Sequence, residues 1–131
     1  MFGDCYNEFW NTTTYVVKGL CRGEILFAID HLNDIVRKEL IRMISWLVGI
    51  EQGFDFSLGK NYKFLRPHVS EEVWKRLMST YNMDSYSHMW ESLEQCMALF
   101  REISAAAARL SDYQYPPYDK KISNYILRQK K

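Results

Sequence analysis

Apolar residues recur at steps of three and four along Ile25, Ile29, Leu32, Val36, Leu40, Met43, Leu47 and Ile50, and this stripe constrains the chain more than any other feature. Such a period puts one continuous apolar face on a long helix, expected from about Glu24 to Glu51, and the face must be buried against other elements. A second stripe, Tyr86, Trp90, Leu93, Met97, Phe100, Ile103, Ala107 and Leu110, predicts a helix from Ser85 to Leu110. A third, Tyr6, Phe9, Thr13, Val16, Val17 and Leu20, predicts one from Asp4 to Leu20. No stretch alternates at period two for long enough to make a sheet. The expected fold is all-α, a helical bundle built on long amphipathic helices with shorter connecting helices.

Punctuation separates these elements. Gly19 and Gly23 bracket a bend before the second helix, and Gln52-Gly53 ends it. Phe54 to Leu58 is irregular and is expected to tuck Phe54 and Phe56 into the core. Gly59 to Leu65 reads as a short helix closed by Pro67, and Ser70 is the expected N-cap of a helix opening on Glu71 and Glu72. Tyr115-Pro116-Pro117 breaks the last long helix, Asp119 is a candidate cap for a terminal helix through Ile122, Tyr125 and Ile126, and Arg128 to Lys131 is expected to fray.

At 131 residues the chain has the size of a single domain, and 1-131 is read as one helical unit. An apolar fraction of 47% with 25% charged residues excludes intrinsic disorder and fibrous classes. Seventeen basic against sixteen acidic residues leave +1, which argues against a nucleic-acid footprint. No apolar run approaches the ~18–20 residues of a membrane span and no signal peptide precedes the first helix, so a cytoplasmic protein with no membrane partner is expected. Three cysteines, Cys5, Cys21 and Cys96, are widely spaced and suggest neither a disulfide framework nor a zinc site.

Most motifs fail on chemistry. Gly53 and Gly59-Lys60 have the wrong spacing for a P-loop, with Asn61 where a magnesium-binding hydroxyl belongs. His31, His68 and His88 lie far apart and read as surface or hydrogen-bonded structural groups, so no metal is expected in this chain. Lys60, Tyr62, Lys63, Phe64 and Arg66 fit a short amphipathic helix better than a base-stacking platform. Asp30, Asp34 and Arg37 share a face away from the apolar stripe and read as solvated.

The first helix is more informative. Asp4, Glu8, Asn11 and Tyr15 fall at i, i+4, i+7 and i+11, with Lys18 beside them, and so form one stripe opposite the apolar face. Two carboxylates, an amide and a phenol suit a polycationic, hydroxyl-rich ligand, because carboxylates accept charge-assisted bonds from guanidinium or ammonium groups. The alternative is an ordinary solvated helix face. Trp46, Trp74 and Trp90 read as core, whereas Trp10, at the flank of the stripe, is the tryptophan best placed to touch a ligand.

Several segments together, Asn7-Glu8-Phe9-Trp10, Val17-Lys18-Gly19-Leu20 with Arg22, Glu24-Ile25-Leu26, Arg37 to Met43 with Trp46 and Gly49-Ile50, Gly59-Lys60 with Tyr62-Lys63, and Trp90-Glu91, resemble the C-terminal half of aminoglycoside 6-adenylyltransferases, the streptomycin-resistance nucleotidyltransferases. The resemblance implies a helical substrate-binding domain that closes the antibiotic site, joined to an N-terminal nucleotidyltransferase domain that holds ATP and Mg2+ with a Gly-Ser and a paired-aspartate motif. This chain has no Gly-Ser dipeptide and no Asp-x-Asp or Asp-x-Glu, so ATP and Mg2+ are implied for the full-length enzyme and not for this half. The implied activity is transfer of AMP to the 6-hydroxyl of streptomycin, with no transfer by this chain alone. The candidate base is Glu8 or Asp4, and the candidate substrate-binding residues are Asp4, Glu8, Trp10, Asn11, Tyr15 and Lys18. Asn11 and Cys21 stand where the family commonly has Trp. A different reading is a helical interaction module that partners a separate nucleotidyltransferase in a toxin–antitoxin-like or regulatory assembly.

Overall fold

The computed structural model describes residues 2–54, 58–59, 62–111 and 129. Its described residues are helical, with no strand among them. Helix α1 spans Phe2–Cys21, α2 Ile25–His31, α3 Arg37–Gln52, α4 Glu71–Met78 and α5 Tyr86–Leu110. Short 3-10 turns cover Arg66–His68 and Ser79–Tyr81.

The expected second helix is present with one interruption: between α2 and α3 the backbone widens into a π turn over Leu32–Val36. The apolar stripe passes through it intact, because Leu32, Val36, Leu40 and Met43 are all buried. Helices α1, α3 and α5 pack around the common core. Its centre is aromatic, with Phe9 and Phe100 stacked at 3.8 Å between ring centroids and Tyr6 and Trp10 against Phe100.

Helix α1 meets α2 closely at Gly19, where an added Cβ would lie 2.9 Å from the Phe27 ring and 3.3 Å from the Ala28 backbone nitrogen. Gly23, at a φ of 73°, makes the turn between them, a conformation that side-chain-bearing residues rarely adopt. The expected Ser70 cap is formed, with Ser70 Oγ accepting from Val73 N at 3.1 Å, and Ser85 caps α5 in the same way, its Oγ accepting from His88 N at 3.1 Å.

Two local expectations need correction. Gly59 to Leu65 is not one continuous α-helix: among its described residues Tyr62 has 3-10 geometry, with Tyr62 N donating to Gly59 O at 3.1 Å, and turns follow, with Phe64 N donating to Leu58 O at 2.8 Å. Gly59 and Tyr62 both adopt positive φ there, which a continuing α-helix does not allow. Phe54 is not tucked into the core; it is 64% exposed and lies over Gly49, beside Trp46. Phe56 and the expected terminal helix after Asp119 lie outside the described residues.

Candidate functional site

The polar stripe of α1 exists as a surface. Asp4, Glu8, Asn11, Tyr15 and Lys18 are all exposed, while Tyr6, Phe9, Val16 and Val17 on the opposite side have no solvent access. One continuous helix places them, so their mutual register follows from the turn of the helix. Lys18 Nζ lies 5.5 Å from the centroid of the Tyr15 ring, which gathers the C-terminal end of the stripe.

Trp10 does not belong to this surface. It has no solvent access and packs edge-on to Phe9, at 5.1 Å, and to Phe100, at 6.0 Å. The expectation that its indole flanks a ligand is therefore corrected. The apolar arc of α1 is wider than three residues per two turns, and position 10 falls inside that arc together with positions 6, 9, 13 and 17.

Two residues from α2 extend the stripe, and single-helix periodicity does not reveal them. The His31 ring lies 5.9 Å from that of Tyr15 and 4.1 Å from that of Phe27, and Phe27 is 42% exposed. The close approach at Gly19 brings this edge of α2 beside the end of α1. The usable sequence signal was the i, i+4 pair Phe27 and His31, which shares a face of α2. Leu26, 75% exposed, adds an apolar residue at the same end of α2.

The stripe is convex. A ligand-binding site encloses most of its ligand, so one outward helix face supplies one wall and needs a second surface opposite it. The concave regions lie elsewhere. A polar cleft of about 430 Å3 lies between α4 and α5, lined by Arg76, His88, Ser92 and neighbours. A cleft of about 640 Å3 lies beside the start of α3, lined by Asn33, Arg37, Lys38, Glu39, Arg42, Tyr62 and neighbours. No residue of the stripe lines either one.

Arg37 departs most from its expected role. It reads as a solvated charge in the sequence and is 1% exposed in the fold. Its Nε donates to Thr80 Oγ1 at 2.9 Å, Nη2 to Thr80 O, and Nη1 to Asn33 Oδ1, and the guanidinium lies 3.9 Å over the Tyr81 ring. Burial lowers its pKa from the ordinary guanidinium value, yet the group stays cationic. Asp30 and Asp34, its expected companions on a solvated face, are exposed.

The three histidines and Arg66 make local contacts. His31 Nδ1 meets Phe27 O at 2.9 Å, His68 Nδ1 meets Gln52 Oε1 at 3.0 Å, and His88 pairs with Asp84. Arg66 pairs with Glu71 and lies 5.2 Å over the Trp74 ring, which accounts for one cation of the basic and aromatic stretch. Lys60 lies outside the described residues. Burial pushes the Cys96 thiol up to about 11 and raises Cys5 further, so neither supplies a thiolate near neutral pH. Among the described residues no three His, Cys, Asp or Glu side chains group as metal ligands, and no helix is long and apolar enough to cross a membrane.

A protein-family model described as streptomycin adenylyltransferase matches residues 1–129. An aminoglycoside 6-adenylyltransferase from Campylobacter jejuni is 79% identical over 131 residues, all of this chain and 46% of that protein. The protein of the same name from Bacillus subtilis (strain 168) is 54% identical over 124 residues, 95% of this chain and 44% of that protein. A crystal structure of an aminoglycoside 6-adenyltransferase from Bacillus subtilis aligns with a TM-score of 0.92 at 52% identity, covering 98% of this chain and 49% of that one. The chain thus spans about half the length, or less, of the relatives it matches.

Proposed function

This chain belongs to the streptomycin adenylyltransferase family, and we propose that it is the drug-binding helical half of an aminoglycoside 6-adenylyltransferase. The observation that carries the reading is the outward stripe Asp4, Glu8, Asn11 and Tyr15, which puts two carboxylates and two neutral hydrogen-bonding groups on one exposed face. The carboxylates match the guanidinium groups of a dicationic aminoglycoside, and the amide and phenol match its hydroxyls. Trp10 is left out of the wall. Phe27 and His31 join it as a ledge beside Tyr15 and Lys18.

The reaction implied is attack of the drug's 6-hydroxyl oxygen on the α-phosphorus of ATP. A new P–O bond forms, the bond to the β-phosphate oxygen breaks, and pyrophosphate leaves. The hydroxyl proton passes to a carboxylate, for which Glu8 or Asp4 is the candidate on this half. The ligands for Mg2+ do not come from here. The stripe offers two carboxylates beside a cation, and the full sequence has no paired-aspartate motif.

The C-terminal placement expected from the resemblance is not carried by matched shares of 46% and 44%. Reading the coding frame on both sides of the chain is one check: a Gly-Ser and a paired-aspartate motif in the same frame support the proposal. The same motifs in a separate neighbouring gene would instead favour the interaction module.

The direct experiment is streptomycin adenylylation by the full-length enzyme carrying Glu8→Gln or Asp4→Asn. Loss of the proton acceptor is expected to lower kcat/KM by ~10²–10⁴, and loss of a guanidinium clamp by about tenfold to a hundredfold. Parental kcat/KM in both variants would remove the stripe from the site.

A further inference from the structure

At the junction of α1 and α2 three aromatic rings form a ledge drawn from both helices. The His31 ring lies 4.1 Å from that of Phe27, with 32° between their planes, and 5.9 Å from that of Tyr15. Phe27 and Tyr15 nevertheless stay exposed, at 42% and 48%. Keeping neighbouring rings in water costs free energy, and exposed apolar patches of this kind mark contact sites. Two local features hold the ledge in place. Gly19 lacks the Cβ that would lie 2.9 Å from Phe27 Cδ1, and His31 Nδ1–H donates to Phe27 O at 2.9 Å, which fixes the imidazole against the phenyl ring.

The surroundings of these rings favour a cation. Lys18 Nζ already stands over the Tyr15 ring at 5.5 Å, whereas no cation among the described residues stands over Phe27. Asp30, three residues on from Phe27 and so its neighbour on α2, is exposed and adds negative charge beside that ring. The neutral imidazole with its proton on Nδ1 leaves Nε2 as an acceptor for an N–H group. An open ring face, a carboxylate and an acceptor nitrogen together suit a planar cation that carries N–H donors.

Asp4 and Glu8 attract an ammonium as well as a guanidinium, so the charge of the acids does not choose between them. The rings do. A guanidinium is planar, delocalised and weakly hydrated and stacks on an aromatic face, whereas an ammonium is a compact, strongly hydrated charge that gives up more solvation there. Tyr15 stands two turns beyond Glu8 along α1, about 10 Å, so one ligand of that length meets both the acids and the ledge. Resting on the drug-wall reading, we infer that Phe27 seats a guanidinium group of the drug and that this contact selects guanidinium-bearing over ammonium-bearing aminoglycosides.

The test uses the full-length enzyme and two small competitors of streptomycin adenylylation, the diguanidino ring streptidine and its diamino counterpart streptamine. In the parent, streptidine is expected to inhibit with a constant at least about fivefold lower than that of streptamine. Phe27→Leu keeps apolar bulk and removes the ring. It is expected to raise the streptomycin KM about threefold to thirtyfold at little-changed kcat, and to bring the two inhibition constants together. Phe27→Tyr restores a ring and is expected to recover the preference. Glu8→Gln is expected to weaken both competitors and leave their ratio in place. Equal constants in the parent, or an unchanged ratio in Phe27→Leu, overturns the inference, and the parental ratio decides the matter even where Phe27→Leu does not fold. The two readings fail separately: parental kcat/KM in Glu8→Gln and Asp4→Asn removes the acidic wall, whereas equal competitors beside a damaged Glu8→Gln enzyme removes only the ledge.

Discussion

The stripe of α1 and the Arg37 cluster at the start of α3 are both charged patterns on amphipathic helices, and the fold treats them in opposite ways. Glu8 stands in water on an outward face, where the side chain is open to a ligand. Arg37 loses its water, and the guanidinium ties α3 to the Ser79–Tyr81 turn through both the Thr80 side chain and its carbonyl. The difference teaches that a charge opposite an apolar stripe is solvated only where no other element reaches that face. The turn between α4 and α5 reaches Arg37; among the described residues no element covers Glu8.

The contrast is sharpest in stability. Arg37→Met is expected to cost about 3 kcal/mol, because the buried Thr80 hydroxyl and carbonyl lose their donor while the Tyr81 ring loses a cation. Urea unfolding would show this as a lower midpoint at unchanged slope. A loss under about 0.5 kcal/mol would mean that the guanidinium is not buried as described.

Glu8→Gln is expected to leave stability within about 0.5 kcal/mol of the parent in the same measurement, although it is expected to damage adenylylation in the full-length enzyme. A large destabilisation would place Glu8 in the scaffold and weaken its assignment to the drug wall.

The smallest effect belongs to the exposed Asp84–His88 pair. Hydrogen bonding to Asp84 raises the His88 pKa above 6.5, and the same bond lowers that of Asp84 below 3.8. The histidine's contribution is full below pH 6.5 and is lost as pH rises through its raised folded value. The aspartate's contribution is present above pH 3.8 and is lost as pH falls through its lowered folded value. Melting curves of the parent and His88→Asn should therefore separate slightly at pH 5 and converge by about pH 9. A constant gap across that range would show that His88 acts through packing.

Much of the fold was legible from period alone. The stripes of α1, the α2–α3 run and α5 land on buried faces because a helix that hides one side must repeat apolar residues every three or four positions. The start at Ser70 was legible for a similarly local reason, since a hydroxyl beside free backbone N–H groups caps them wherever it stands. The π turn was not legible: its residues continue the apolar pattern, and the widening becomes visible only when Arg37 is placed against Thr80. A regular α-helix over Gly59 to Leu65 is compatible with its Lys, Tyr and Leu residues, but the chain adopts positive φ at Gly59 and Tyr62, and Tyr62 sits in a 3-10 turn instead.

The stripe of Asp4, Glu8, Asn11, Tyr15 and Lys18 was written in the sequence by itself, because one helix sets their spacing without help from the rest of the chain. The identity of the α1 core face was also largely local, although Trp10 needed Phe9 and Phe100 around it to be placed inside. Tertiary structure decided what no single helix can specify. It joined Phe27 and His31 to Tyr15 across two helices, and it buried Arg37 under a turn forty-odd residues away in sequence. Burial depends on which surfaces meet, and helical periodicity reports only which surface each element offers.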